Sequence, residues 1–218
     1  MTRSAGAAER LVIVGAGEHG RVVLELFRAL GTEPLGFVEP RAAADDAERV
    51  VDGLRILGDL ETNRAWRDSA TDFVAALGDN GARRGAFARC LALGLRPATA
   101  IHPRAIVLGG ATVDPGAMVC AGAVVGVGAS VGLNAIVNTG ATLDHDDRIA
   151  AHAHVAPGAH LGGRVSVEEG AFIGIGAAVR DGCRIGAWSL VAGGAMVIGD
   201  VAEHARVAGV PARAMMEP

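Results

Sequence analysis

From Ile101 to Val197 every sixth residue is aliphatic, at all 17 positions and without one insertion. Four residues after each aliphatic stands Ala in 12 of the 17 hexads, and Gly commonly precedes it. A period of six matches neither the 3.6 of an amphipathic helix nor the 2.0 of a strand, and fixed-period self-similarity marks a repeat architecture. It fits a prism with three short strands per turn, 18 residues around, whose coils stack about 4.8 Å apart. The aliphatics then fill the axis, while small residues and Gly let the chain turn at each corner. The pattern predicts a left-handed parallel β-helix of hexapeptide repeats over 98–218 with a short C-terminal tail, an exception to the usual right-handed crossover. Composition agrees. With 43 Ala, 32 Gly, five Phe, two Trp and no Tyr, the core has to be aliphatic.

Residues 1–97 follow a different rule. Arg10–Val14 reads as a buried strand, followed at once by Gly15-Ala-Gly-Glu-His-Gly20. Helical spacing then runs over Arg21–Leu30, with Val22, Val23, Leu26 and Leu30 on one side and Gly31 as the stop. Pro34–Val38 and Asp72–Leu77 predict two more strands, and Gly78-Asp-Asn80 leads into a helix from about Arg83 to Leu93. The charged, Ala-rich stretch Arg41–Asp52 reads as a surface loop or an ill-defined helix. Strand alternating with helix predicts a small parallel sheet, a Rossmann-like α/β domain.

Twenty Arg and no Lys stand against 24 Asp and Glu, a formal charge of −4. The chain therefore lacks the basic stripe that neutralises nucleic-acid phosphates, and any phosphate contacts would come from guanidinium or backbone N–H groups. No apolar run approaches the ~18 residues of a membrane span, and Met1–Arg10 has no signal-peptide core. Cys90, Cys120 and Cys183 are too few and too scattered for a disulfide framework or a metal cluster. The expectation is a cytoplasmic protein with no nucleic-acid or membrane partner and no metal.

One hexad breaks the small-residue rule, Leu143-Asp-His-Asp-Asp-Arg148, with Asp147 where Ala usually stands. A carboxylate beside a His raises its basicity and fixes its tautomer, as a general base requires. Eighteen residues on, one coil away from His145, Gly162-Gly163 offers unshielded N–H groups suited to polarising a carbonyl. The bland alternative is that His145, like His152 and His160, is a polar residue on a solvated outer face. In the first domain, a Gly-rich turn between strand and helix can cradle a phosphate. It can equally be a tight turn that binds nothing, and Glu18 stands where an anion would approach.

Val12–Gly20, Ala76–Asn80, Ile101-His-Pro103, Asn138-Thr-Gly140, Asp144-His-Asp146, His154–Gly158 and Gly209–Arg213, in this order, carry a family resemblance over nearly the whole chain. The sequence resembles the sugar O- and N-acyltransferases of the sialic-acid O-acetyltransferase type, which include bacterial UDP-4-amino-sugar N-acetyltransferases, within the hexapeptide-repeat transferase superfamily. The resemblance implies a homotrimer with acetyl-CoA in the clefts between neighbouring prisms. It implies His145 as general base and Asp146 as the acid that raises its basicity. It places His154 near the acetyl group, Asn138 at the sugar, the Gly163 N–H on the thioester carbonyl, and Ile175 and Gly193 along the pantetheine. It places Gly17, Glu18, His19, Glu39 and Gly78 around a nucleotide-sugar pocket. Three positions depart from the family pattern: Glu18 replaces a small residue, Pro40 follows Glu39 where a second acid is common, and Asp147 stands where Cys is frequent.

The resulting expectation is direct acetyl transfer from acetyl-CoA to the amino group of a nucleotide-linked amino-deoxysugar, which needs a base, a polarised thioester and proximity. Alternatives in the same class are O-acetylation of a sugar such as sialic acid, and transfer to a non-nucleotide acceptor. A different class is a γ-carbonic-anhydrase-like enzyme with Zn²⁺ held by His145, His152, His154 or His160 across subunits; it leaves Asp144–Asp146 and Gly15–Gly20 unexplained. A scaffold that kept only the fold leaves the same trio unexplained.

Overall fold

A computed structural model describes residues 10–41, 49–62 and 65–215. The chain divides into two compact units, Met1–Leu77 with Ala86–Ala98, and Gly78–Gly85 with Thr99–Pro218.

The first unit is a six-stranded sheet built outward from its most apolar run. β1 (Leu11–Val14) is buried along its whole length and leads into α1 (Glu18–Ala29). β2 (Gly36–Glu39), β3 (Val50–Val51), β4 (Leu54–Asp59), a 3-10 turn (Ala65–Asp68), β5 (Asp72–Ala75), α2 (Asn80–Ala92) and β6 (Arg96–Pro97) follow. The sheet order is β3-β4-β2-β1-β5-β6, parallel except for the β3–β4 pair. The sheet is therefore the doubly connected parallel kind that strand–helix alternation predicts.

Two parts of the expectation need correction. The Arg41–Asp52 stretch ends in β3, and β3–β4 forms a small antiparallel arm; residues 42–48 lie outside the described residues. The second helix begins at Asn80 rather than near Arg83, because Asp79 Oδ1 accepts the Ala82 N–H at 2.7 Å and so acts as its N-cap.

In the second unit each axial aliphatic ends a two-residue strand, from β7 (Ala100–Ile101) to β23 (Met196–Val197). The strands stack in parallel at an offset of 18 residues into three faces of a left-handed β-helix. The first runs from β7 through β10 (Met118–Val119), the second from β8 (Ile106–Val107), the third from β9 (Thr112–Val113). Inside, Val119, Val125, Val131 and Val137 are fully buried, each alternating with a buried Ala at a corner, such as Ala123, Ala129 and Ala135. Full burial of such an aliphatic contributes about 1.5–3 kcal/mol. At the far end β24 (Arg206–Ala208) and β25 (Arg213–Ala214) close the first face as an antiparallel pair. No helix among the described residues is long and apolar enough to cross a membrane.

The corners distinguish the three edges of the prism. The residue just before most corner Ala positions takes positive φ, where a side chain costs on the order of 1 kcal/mol and Gly costs none. Along the edge between first and second faces that residue is Gly122, Gly140, Gly158, Gly176 and Gly194. On the edge between second and third faces it includes Asp146 and Arg164, both at φ 61°. On the edge between third and first faces it includes Asn134, His152 and Trp188. An L residue held in this conformation is a candidate for a side-chain function.

Candidate active site

His145 lies on the second edge, between β14 (Thr142–Leu143) and β15 (Arg148–Ile149). The Asp144 carboxylate accepts the His145 N–H at 2.6 Å and shapes the turn. Asp146, at the positive-φ corner, sets Oδ2 2.9 Å from His145 Nδ1. With Nδ1–H donated to that carboxylate, the lone pair falls on Nε2. Nε2 faces Gly163, which follows β17 (His160–Leu161) one coil on. A Cβ built at Gly163 would overlap the imidazole, with Nε2 the nearest atom and Cδ2 and Cε1 each at 2.7 Å. Gly at 163 is thus required by the ring packed on it. The Gly163 carbonyl accepts from Gly182 (2.9 Å), and the Arg164 N–H donates to the His145 carbonyl (2.9 Å), locking the two turns one above the other.

The remaining predicted residues of this unit form two further groups. Asn138 and His154 are buried and bonded, Asn138 Nδ2 to His154 Nε2 at 3.1 Å, with Asn138 Oδ1 taking the Thr139 N–H and the His154 ring edge-on to Phe172. Ile175 and Gly193 are neighbours on the first edge, beside its column Gly158, Gly176 and Gly194. Gly194 donates to the Ile175 carbonyl at 2.8 Å, and Ile175 is 65% exposed. Within one chain these groups occupy the first face and first edge, while His145 and Gly163 occupy the second edge. One protomer alone does not bring all six together.

In the first unit, Gly17, Glu18 and His19 sit where β1 turns into α1, and Glu39 ends β2, so these residues lie at the carboxyl ends of parallel strands, where open α/β sheets bind ligands. Gly15, at φ +104°, packs so closely on Ala76 and Leu77 that a side chain has no room. Gly17 and Gly78 instead face open space. The Glu18 carboxylate is almost wholly in solvent, 3.5 Å from Arg21, whose Nε is bound to Asp52 at 2.8 Å.

His152 is a correction. It is buried rather than outward-facing, with Nδ1 2.9 Å from Asn134 Nδ2. The reason is Arg83, a fully buried guanidinium that donates to the His152 carbonyl at 2.6 Å and the Asn134 carbonyl at 3.3 Å. Burial pushes this guanidinium down to about 10, opposed by Asp79. Asn80 donates to the Gly170 carbonyl (3.0 Å), and Arg84 stacks 5.0 Å over Trp188. Residues 78–85 therefore cap the third edge at Asn134, His152, Gly170 and Trp188, and the side chains of those corners are structural. His160 stays on the outer second face, bonded to Thr142 Oγ1 at 2.9 Å. A groove of about 660 Å³ on the third face, beside Ser130, Arg148 and Ser166, includes none of the predicted site residues. Among the described residues no three metal-binding side chains converge within the chain.

Against known proteins, the family model of the PglD N-terminal domain matches residues 10–90. No curated protein matches the chain. Among solved structures, a His-to-Ala variant of GDP-perosamine N-acetyltransferase from Caulobacter crescentus, in complex with CoA and GDP-perosamine, is 35% identical with a TM-score of 0.88, covering 95% of this chain and 97% of that one. The acetyltransferase domain of PglB from Neisseria gonorrhoeae, in complex with acetyl coenzyme A, is 35% identical with a TM-score of 0.85, covering 95% and 100%. WeeI from Acinetobacter baumannii, at 20% identity and a TM-score of 0.79 over 94% and 99%, shares the fold.

Proposed function

The chain belongs to the family of hexapeptide-repeat sugar N-acetyltransferases with a PglD-type N-terminal domain, and on that footing we propose direct acetyl transfer from acetyl-CoA to the amino group of a nucleotide-linked amino-deoxysugar, with His145 as general base. The observation that carries this reading is the His145 imidazole, held at Nδ1 by Asp146 and presenting Nε2 over Gly163. The neutral amine attacks the thioester carbonyl carbon while Nε2 takes the proton it sheds. The Gly163 N–H stabilises the oxygen as it becomes an oxyanion. The tetrahedral adduct then breaks its C–S bond, and the imidazolium returns the proton to the departing CoA thiolate. Asp146 stays ionised and balances the imidazolium charge. No covalent acyl-enzyme is needed, and Cys90, Cys120 and Cys183 are all buried; burial pushes the Cys90 and Cys120 thiols up to about 12 and about 11.

The same reading includes a homotrimer, which would let the second edge of one copy, with His145, face the first edge of another, with Ile175 and Gly193. The smooth Gly column of the first edge gives an extended pantetheine chain close access to backbone. The nucleotide assignment draws on the α1 N-terminus, with Gly17 open in front of it, and on the GDP-sugar bound by the Caulobacter relative. With no Lys in the chain, the diphosphate would be met by backbone N–H groups and Arg.

The test is thiol release from acetyl-CoA with a panel of GDP-perosamine, UDP- and dTDP-linked 4-amino sugars, their hydroxy analogues and free amino sugars. A nucleotide-linked amino sugar is expected to turn over, its hydroxy analogue and the free sugar far more slowly. His145→Ala is expected to lower kcat by about 10²–10⁴-fold. A faster hydroxy analogue would overturn the acceptor class, and a near-full rate in His145→Ala would overturn the base.

A further inference from the structure

Asp147 stands in a corner position that the repeat fills with Ala, and it is fully buried. Two backbone bonds recur at the other corners. The N–H after each axial aliphatic donates to the aliphatic carbonyl one coil on, as Gly126 does to Leu143 (3.0 Å) and Gly162 to Val179 (2.9 Å). The N–H at the Ala position donates back across its own corner, as Ala141 does to Asn138 (3.0 Å) and Ala159 to Ala156 (3.1 Å). The second edge departs from both rules at the coil of His145. The Asp144 N–H, which by the rule belongs to the Leu161 carbonyl, donates to Asp147 Oδ2 at 2.9 Å. The Val165 N–H, which belongs to the Gly162 carbonyl, donates to Asp147 Oδ1 at 2.8 Å. Strands β14 and β17 accordingly pair only at Thr142↔His160, where β11 (Val124–Val125) pairs with β14 at two positions.

One carboxylate has thus been inserted into the ladder between two coils. Its oxygens hold the first residue of the turn that carries His145 and the residue two beyond Gly163. We propose that Asp147 is a positioning residue for acetyl transfer: it ties these two turns together and sets the spacing between the base and the N–H that polarises the thioester. The inference rests on the reading of His145 as base. Fold stability alone gives no reason for an acid here. Ala suits 12 of 17 such corners, and Ala would let both displaced backbone bonds form.

Because Ala is the repeat's own residue at this position, Asp147→Ala is the decisive variant. Rates are measured with acetyl-CoA and the amino sugar nucleotide that turns over in the panel, GDP-perosamine being the first probe. The expected result is an unchanged or higher melting temperature, a kcat lower by about 10–100-fold, and a KM for acetyl-CoA within about threefold, since a misplacement near 1 Å is worth about 10²-fold. Asp147→Asn keeps the shape but turns an NH₂ toward one of the two N–H donors, so its kcat falls as well. In a His145→Ala background, Asp147→Ala should cost nothing further, because it acts through the imidazole. A folded Asp147→Ala with kcat within threefold of the parent overturns the proposal, as does a loss that persists undiminished without His145, or failure of both variants to fold. Full activity in His145→Ala alone would instead remove the general-base reading, whatever Asp147 does.

Discussion

Gly163→Ala separates the two contributions assigned to that residue, because Ala keeps the N–H and adds only a methyl. The backbone at 163 lies outside the positive-φ region, so Ala meets no conformational penalty there, and loss of unfolded-state freedom should stabilise by about 0.4–1 kcal/mol. The three atoms nearest the methyl all belong to the His145 ring. The imidazole carbons lie 2.7 Å from the ideal Cβ, against the roughly 3.4 Å where ordinary contact begins, so the ring has to retreat by about 0.7 Å or more. The ring is half-exposed and can swing away without unfolding anything. A displacement of that order is worth about 10²-fold in rate, or roughly 2.7 kcal/mol of transition-state stabilisation. Thiol release should therefore show kcat down about 100-fold with an equal or slightly higher melting temperature. Gly162→Ala is the matched control. Its methyl would meet the backbone N of Asp181 at 2.8 Å, which cannot step aside, so this variant should lose melting temperature instead. A Gly163→Ala enzyme within threefold of the parent rate would refute the claim that Nε2 works from where it now sits.

Two more expectations concern stability. Arg83→Met removes the donor to the carbonyls of Asn134, His152 and Ala153, and should destabilise by on the order of 3 kcal/mol in urea unfolding while leaving kcat within about threefold. Burial holds the Asp147 carboxyl up at about 7, against 3.8 ordinarily, with its two backbone bonds and His145 opposing and Asp144 reinforcing. A carboxyl whose folded value is raised binds its proton more tightly folded than unfolded, so its contribution grows as pH falls below 7 and levels off below about 4. The stability difference, parent minus Asp147→Ala, should thus move in the parent's favour between pH 8 and pH 5, by less than the full shift because nearby solvent screens part of the charge. Movement in the opposite direction would mean that the carboxylate, not the acid, is the form the corner prefers.

The β-helix was legible because one physical constraint repeats: a narrow axis admits one aliphatic per hexad, and each of the 17 periodic residues ends a strand. The β1–α1 unit was legible for a local reason, a buried run followed by glycines. What the sequence hid is non-local. β3 is only two residues, cut off from β4 by Asp52-Gly53, and β4 exists because it pairs with β2 across a long connection. His152 looked like a surface residue because its cover, Arg83, is 69 residues away. The early start of α2 was within reach, since Asp79 is a good cap residue one position before Asn80. Asp147 was visible as an anomaly, but nothing in a linear pattern reveals that its two oxygens reach N–H groups on different coils.

The positive-φ corners supply the missing signal. At these positions Gly is free of strain, so a different residue marks a place where a side chain offsets on the order of 1 kcal/mol. On the third edge Asn134, His152 and Trp188 lie under or against residues 78–85 and are accounted for by packing, while His204, also at positive φ near the end of the coil, is exposed with Nε2 3.3 Å from Glu203. On the second edge the exceptions are Asp146 and Arg164. Asp146 binds the imidazole, and Arg164 reaches Asp181 at 3.5 Å on the next coil, leaving its guanidinium 60% exposed beside Gly163. The proposed chemistry accordingly falls on the second edge, with its partner surface on another copy of the proposed trimer. By the same logic the Gly122–Gly194 column of the first edge gives up side-chain chemistry and offers backbone, which suits the long flexible co-substrate proposed for it better than a reacting group.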